Sequence, residues 1–184
     1  MLTLNFDPYP VLTTERLVLR KLRESDADEV LYLRSNRELM QYIPRPLQKN
    51  REDAQTLIQS NLELIQRNEA INWAITIKGE DKLIGMIGLF NVEKENFRCE
   101  VGYLLHHNWH GKGIMAEALA AVLDYGFRVL KFHSVSALVD PANIASAKLL
   151  EKNNFTKDAY FKENLFYEGR FLDTIIYSLL TPFR

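Results

Sequence analysis

The most constraining stretch of the chain runs from Cys99 to Ala118 and reads C-E-V-G-Y-L-L-H-H-N-W-H-G-K-G-I-M-A-E-A. Val101 to Leu105 is an apolar run of strand character. The polar loop His106 to His110 leads into Gly111-Lys112-Gly113, and an alanine-rich helical segment follows. Glycines let a backbone pass close to a ligand. The first N–H groups of a helix have no partner inside it, and the helix dipole adds positive potential at that end. A strand, a glycine loop and a helix N-terminus in that order favour an anion. The reading is a phosphate-bearing ligand docked at this loop.

Three chemistries fit a strand that feeds such a loop. A nucleotide P-loop needs G-x-x-x-x-G-K-[ST], but Lys112 is followed by Gly113, so that pattern fails. A dinucleotide fingerprint, G-x-G-x-x-G/A, fits loosely because Ala116 takes the last position. It would need repeated strand–helix–strand units, and the strands before Gly111 come as a run without intervening helices. The third chemistry is a pyrophosphate cradle in an acyl-CoA-dependent transferase. Against all three stands a tight strand-to-helix turn with no ligand.

The rest of the chain supplies context. Thr14 to Arg20 alternates apolar and charged residues and predicts a first strand. Ser25 or Asp26 opens a helical stretch in which Val30, Leu31, Leu33 and Leu39 or Met40 share a face, until Pro44 and Pro46 break it. Asp53 to Arg67 predicts a second helix with Ala54, Leu57, Ile58, Leu62 and Ile65 on one side. Asn72 to Lys78, Lys82 to Phe90 and Arg98 to Leu105 predict an antiparallel meander. A helix from Ile114 to Leu130 then crosses to a strand at Ser134 to Val139, which places that strand parallel to Arg98–Leu105. Asp140-Pro141-Ala142-Asn143 opens a further helix ending near Asn153. Phe155 to Phe166 and Phe171 to Leu180 predict a closing hairpin turned at Glu168-Gly169. The pattern is an α+β domain with a mixed sheet, taken to span residues 1–184.

Composition excludes several classes. With 47% hydrophobic and 26% charged residues in 184, the chain can build a core and is not disordered. A net charge of −1 gives no footprint for nucleic acid or an anionic membrane surface. The first ten residues lack the basic and apolar regions of a signal peptide, and no apolar run reaches the ~20 residues of a membrane helix. The lone cysteine, Cys99, lies in a strand-like run and reads as a buried thiol, so a cytoplasmic location is expected. His106, His107, His110 and His133 have no acidic or cysteine partners at ligand spacing, so no metal is expected.

The ordered set of motifs resembles the GCN5-related N-acetyltransferases (GNAT), and within them the branch of ribosomal-protein alanine and serine N-acetyltransferases. The likeness is carried by Thr14 to Arg20, Leu83-Ile84-Gly85 with Ile87-Gly88, Gly102 to Leu105 with Gly111 to Ala118, Asp140 to Ser146, Leu150 to Phe155, and Gly169, Asp173 and Tyr177. It covers nearly the whole chain. The resemblance implies the acyl-CoA N-acyltransferase fold, a mixed, mostly antiparallel sheet of about seven strands flanked by about four helices. It implies acetyl-CoA as cosubstrate, a primary amine as acceptor (a protein N-terminus or a small molecule), direct attack in a ternary complex, and a homodimer as a common assembly.

It also assigns residues. Main-chain groups of Tyr103, Leu104 and Leu105 pair with the pantetheine arm. His110, Gly111, Lys112, Gly113, Ile114, Met115 and Ala116 hold the pyrophosphate. Asn143 contacts the arm while capping the next helix, and Ser146, one turn on, protonates the departing thiolate. Many members place a tyrosine where this chain has Leu150, which cannot donate a proton. Glu100, on the strand before the loop, is the candidate general base. The ribosomal branch can instead use a glutamate in the closing hairpin, a position that falls on Leu165, with Glu163 two residues earlier. The signature's usual glutamine or arginine, three before the first loop glycine, is Asn108. Two other functions stay open at this point: a catalytically degenerate acyl-CoA sensor, and a different nucleotide-binding enzyme.

Overall fold

A computed structural model describes residues 1–183. Its strands form one sheet in the order β1-β2-β3-β4-β5-β6-β8-β7. β1 is Leu12–Thr13, β2 Leu17–Arg20, β3 Ile71–Ile77 and β4 Leu83–Glu93. β5 is Arg98–Leu105, β6 Ser134–Val139, β7 Thr156–Tyr167 and β8 Arg170–Leu180. All pairings are antiparallel except β5 with β6. The helices are α1 Ala27–Ser35, α2 Arg37–Met40, α3 Arg51–Gln66, α4 Ile114–Arg128 and α5 Ile144–Lys152. The expected architecture is present, with one short strand and one short helix more than the sequence pattern resolved.

Both additions have local causes. Thr14 to Arg20 does not run as one strand, because the Thr14 hydroxyl accepts from Leu17 N–H at 2.9 Å and turns the chain there. β1 and β2 therefore fold back on one another, and Glu15 and Arg16 belong to the turn. The first helical stretch splits at Asn36, which has extended backbone and caps α2 by accepting from the N–H groups of Glu38 and Leu39. α3 starts two residues before Asp53 because Asn50 caps it, accepting from Asp53 N–H at 2.9 Å.

The sheet has a core on each face. The larger gathers Leu17, Leu19, Trp73, Ile75, Ile87, Val101 and the apolar side of α4, including Leu119 and Val122, with Leu150 of α5. The smaller packs Val30, Leu33 and Ile58 of α1 and α3 on Ala74, Met86 and Leu104. Alternation along each strand divides its residues between the two. β5 and β6 pair only over Arg98–Ser134, Cys99–Val135 and Glu100–Ser136. β5 continues to Leu105 on β4 alone. Past Glu100 the two parallel strands diverge and β5 has an open edge.

One ion pair pins the sheet to its first helix. Arg20, 6% exposed, grips Asp26, 4% exposed, with both guanidinium ends at 2.9 and 2.8 Å. Its Nε also reaches Asp81 at 3.0 Å. Breaking a buried pair leaves an uncompensated charge. Arg20→Met is therefore expected to destabilise the fold by about 3–5 kcal/mol. Arg20→Met with Asp26→Leu should recover most of that loss, as read by urea denaturation.

Candidate active site

The glycine loop has the geometry of a cradle. His107–Trp109 forms a single turn of 3-10 helix, and His110 N–H closes it on His107 O at 3.0 Å. Gly111 and Gly113 then take φ of +71° and +74°, in the left-handed region. The first bond of α4 is Glu117 N–H to Gly113 O, at 3.1 Å. The N–H groups of Gly111, Lys112, Gly113, Ile114, Met115 and Ala116 have no acceptor among the described residues. A run of free amides at a helix N-terminus suits a pyrophosphate. Lys112 places its ammonium 5.2 Å from the centre of the Trp109 ring, on the exposed side of the loop.

The cradle is braced from the first strand pair. Glu117, in the first turn of α4, accepts from the Thr14 hydroxyl at 2.6 Å, Arg16 N–H at 2.8 Å and Arg16 Nε at 2.6 Å. The same guanidinium donates from Nη1 to the Lys112 carbonyl at 2.9 Å. Burial pushes the Glu117 carboxyl up, but the bonds from Thr14 and Arg16 outweigh it and hold the group below the usual carboxylate range. A carboxyl depressed in the folded state stabilises above its unfolded pKa and loses that contribution as pH falls through the folded value. Glu117→Gln should flatten the loss of stability below about pH 4.5. It should also raise KM for acetyl-CoA about fivefold at pH 7.5, the effect of roughly 1 kcal/mol of lost bracing.

Which strand residues face the open edge follows from the ladder. His106 N–H donates to Ile84 O at 2.8 Å, in register with the β4–β5 pairs Met86–Leu104 and Gly88–Gly102. Antiparallel ladders alternate between bonded and outward-facing pairs. Leu104 therefore turns its N–H and C=O to Met86, whereas Val101 turns its N–H to the last β6 pair at Ser136, and Tyr103 and the Leu105 N–H face the gap. This corrects the assignment of Leu104 to cofactor pairing; its side chain packs under α1 and α3 instead. His110 is corrected too. Its N–H is taken by His107, and its Nε2–H donates to Leu105 O at 2.8 Å, so it links loop to strand and offers the cradle no amide. A carbonyl can only accept, which fixes the proton on that ring nitrogen.

The same alternation sends side chains to opposite faces of β5. Glu100, Gly102 and Leu104 face the α1–α3 side, whereas Cys99, Val101, Tyr103 and Leu105 face the α4–α5 side. Glu100 is half-buried, pairs across to Phe90 and Ser136, and makes no ion pair among the described residues. On the other face the Tyr103 phenol and the Ser146 hydroxyl lie 2.7 Å apart. Asn143 caps α5, its Oδ1 accepting from Ser146 N–H at 3.1 Å, which leaves its Nδ2 for another partner. Leu150 is fully buried in the larger core.

Residues 16–156 match the family model of the acetyltransferase (GNAT) domain. The chain belongs to this family. It is 35% identical over 169 residues to N-acetyltransferase p20 of Bacillus licheniformis, covering 92% of this chain and 95% of that one. It is 31% identical over 180 residues to the ribosomal protein uS5-alanine N-acetyltransferase of Escherichia coli, covering 93% and 91%. The ribosomal-protein-S5-alanine acetyltransferase of Vibrio fischeri superposes with a TM-score of 0.83 at 26% identity, over 95% of this chain and 98% of that one. The chain is thus an N-acetyltransferase, and the family's cosubstrate is acetyl-CoA. The free amides of Gly111–Ala116 and the open edge of β5 fit a diphosphate followed by an amide-bearing arm.

As a GNAT member the chain departs from expectation in its closing hairpin. Strict alternation placed Glu163 and Leu165 on one face. The strands are out of register between Phe161–Thr174 and Leu165–Leu172, and Glu163 has φ of +48° inside that bulge. Asp173 clamps it, accepting from Glu163 N–H at 2.8 Å and from the Tyr160 hydroxyl. Sequence reasoning also missed Thr14, Arg16 and Glu117 as one unit, and the side chain of Tyr103. Threonine and arginine flanking a turn were visible signals for the first. Nothing in the sequence pointed Tyr103 at Ser146.

Proposed function

We propose that this enzyme acetylates the α-amino group of a protein N-terminus, by direct attack of the neutral amine on acetyl-CoA in a ternary complex. The observation that carries the reading is β5 itself. Its open edge is continuous with the Gly111–Ala116 amides, with Glu100 on one face of the strand and Ser146 on the other. The uS5-alanine relative, similar along almost its whole length, supports a protein N-terminus as the acceptor class.

Acetyl-CoA supplies the activated acetyl group. Gly111, Lys112, Gly113, Ile114, Met115 and Ala116 hold the pyrophosphate with their N–H groups. Tyr103 offers its main-chain groups and Leu105 its N–H to the arm, and an N–H on that edge stabilises the negative charge that grows on the thioester oxygen. Asn143 adds its Nδ2. Glu100 takes the amine proton, directly or through a water, and Ser146 gives a proton to the departing sulfur. The reading treats residues 1–184 as one domain working in the cytoplasm, with a homodimer as its assembly.

The test is an acceptor panel read by mass spectrometry and thiol release. It comprises peptides with free Ala or Ser N-termini, the same peptides N-terminally blocked but carrying lysine, and polyamine, amino-acid and aminoglycoside amines. Acetylation confined to free N-termini is expected. Preference for a small amine overturns the acceptor class. Stabilisation by acetyl-CoA with no turnover on any amine points to a sensor.

A further inference from the structure

A thiolate leaving group needs an acid, and the helix position that often supplies a tyrosine holds the buried Leu150. Ser146 alone is a poor substitute, because an aliphatic hydroxyl is a far weaker acid than a thiol or a phenol. The hydroxyl beside it changes this. Tyr103 comes from β5, not from the helix, and its phenol oxygen sits 2.7 Å from Ser146 Oγ. Tyr103 is partly buried and packs against the buried residues of the larger core.

We propose that Tyr103 is a positioning and proton-supplying residue that acts through Ser146, so that the two hydroxyls form the general acid as a pair. The proposal rests on the assignment of the Ser146 face to the leaving group. Its chemistry balances as follows. The C–S bond breaks and sulfur takes the pair of electrons. Ser146 Oγ–H gives its proton to sulfur, forming the S–H bond. Tyr103 Oη–H gives its proton to Ser146 Oγ, and the phenolate regains one from solvent after the thiol leaves.

The phenol is the natural donor of the pair, being the stronger acid, and this leaves the serine proton free to point toward sulfur. Burial pushes the Tyr103 phenol up to about 12, against the lowering effect of its bond to Ser146. The phenol is therefore protonated at neutral pH and gives up its proton only in step with proton transfer from Ser146 to sulfur. A water molecule could replace neither group without loss, since both oxygens hang on rigid elements, β5 and α5.

The test uses Tyr103→Phe, Ser146→Ala and the double variant of the intact protein. Thiol release from acetyl-CoA is followed with the best amine of the panel, and with water as acceptor if no amine turns over. Both reactions expel the same thiolate, so the experiment reads out even if the acceptor class is wrong. Tyr103→Phe is expected to lower kcat at least roughly tenfold, and Ser146→Ala about a hundredfold. KM for acetyl-CoA should stay unchanged in both. The double variant should be no slower than Ser146→Ala, because one device is lost only once.

A second readout needs no turnover. With 3-fluorotyrosine at position 103, the fluorine resonance should shift when CoA is added. That shift should shrink with desulfo-CoA and disappear in Ser146→Ala. Full kcat in Tyr103→Phe, multiplied losses in the double variant, or a resonance indifferent to the CoA sulfur would each overturn the proposal. A variant whose melting temperature falls well below that of the parent is replaced by Ser146→Thr, which keeps the hydroxyl and should keep most of the rate.

Discussion

Glu100→Gln is expected to lower kcat for acetyl transfer by about 10²–10⁴, the usual contribution of a general base. Its KM for acetyl-CoA should not change, since cradle and strand edge are untouched. The residue stands where β5 is about to leave β6, opposite Phe90 on one side and Ser136 on the other. Two residues on, Gly102 carries no side chain, and the Phe90 ring lies over it, 2.8 Å from where a Cβ would sit. Glu100 thus borders the gap on the face away from Ser146 and Tyr103. In the proposed mechanism, proton removal from the amine and proton delivery to the sulfur fall on opposite sides of the strand. The pH profile supplies a second check. Without a base the amine must lose its proton to solvent, so the residual rate should climb with pH up to the α-amino pKa of about 8. Unchanged kcat in Glu100→Gln, with flat pH dependence relative to the parent, would return Glu100 to the status of an ordinary strand glutamate.

The second large effect is on binding. Gly113→Val should raise KM for acetyl-CoA about 10- to 100-fold and remove most of the thermal stabilisation that acetyl-CoA gives. Gly113 has φ of +74°, where a side chain costs about 1–2 kcal/mol and a β-branched one more. A Cβ there would also sit 3.3 Å from Arg16 Nη2. That arm carries the bracing bonds to Glu117 and the Lys112 carbonyl, so strain in the loop is passed to the brace. Gly111→Val makes the useful comparison. Its φ is +71°, yet a Cβ at that position meets nothing within 4 Å. The backbone penalty is similar and the steric one absent, so the smaller loss is expected at Gly111. Equal binding in both variants and the parent would mean that the loop is only a turn.

Much of this was legible in the sequence because it depends on local pattern. The apolar runs of β3 and β4 with the turn between them, the glycine loop, the apolar spacing of α4 and the crossover to a parallel β6 all follow from periodicity and turn chemistry. What escaped depends on phase or on distant contacts. Whether Leu104 or its neighbours face the gap is set by which β4–β5 pair is hydrogen-bonded, and periodicity is blind to that choice. The bulge at Glu163 interrupts the ladder that strict alternation assumed, and the Asp173 that clamps it lies on the other strand. The brace joins residues 101 positions apart, Arg16 and Glu117. The Tyr103–Ser146 pair spans 43 positions and two elements. Asn143 shows the opposite case, since a helix cap is a local device and was readable directly.

The central claim is that acetyl-CoA lies along the Gly111–Ala116 amides and the outward-facing groups of β5. Backbone amide NMR shifts during a titration with CoA test it most directly. The largest changes are expected at Gly111, Lys112, Gly113, Ile114, Met115 and Ala116, and at Tyr103 and Leu105. Leu104 and His110, whose N–H groups are already bonded to Met86 and His107, should move much less. Shifts confined elsewhere, for instance to the open groove lined by Phe97, Phe132 and Phe183, would contradict the account. So would a response in which Leu104 moves as far as Tyr103.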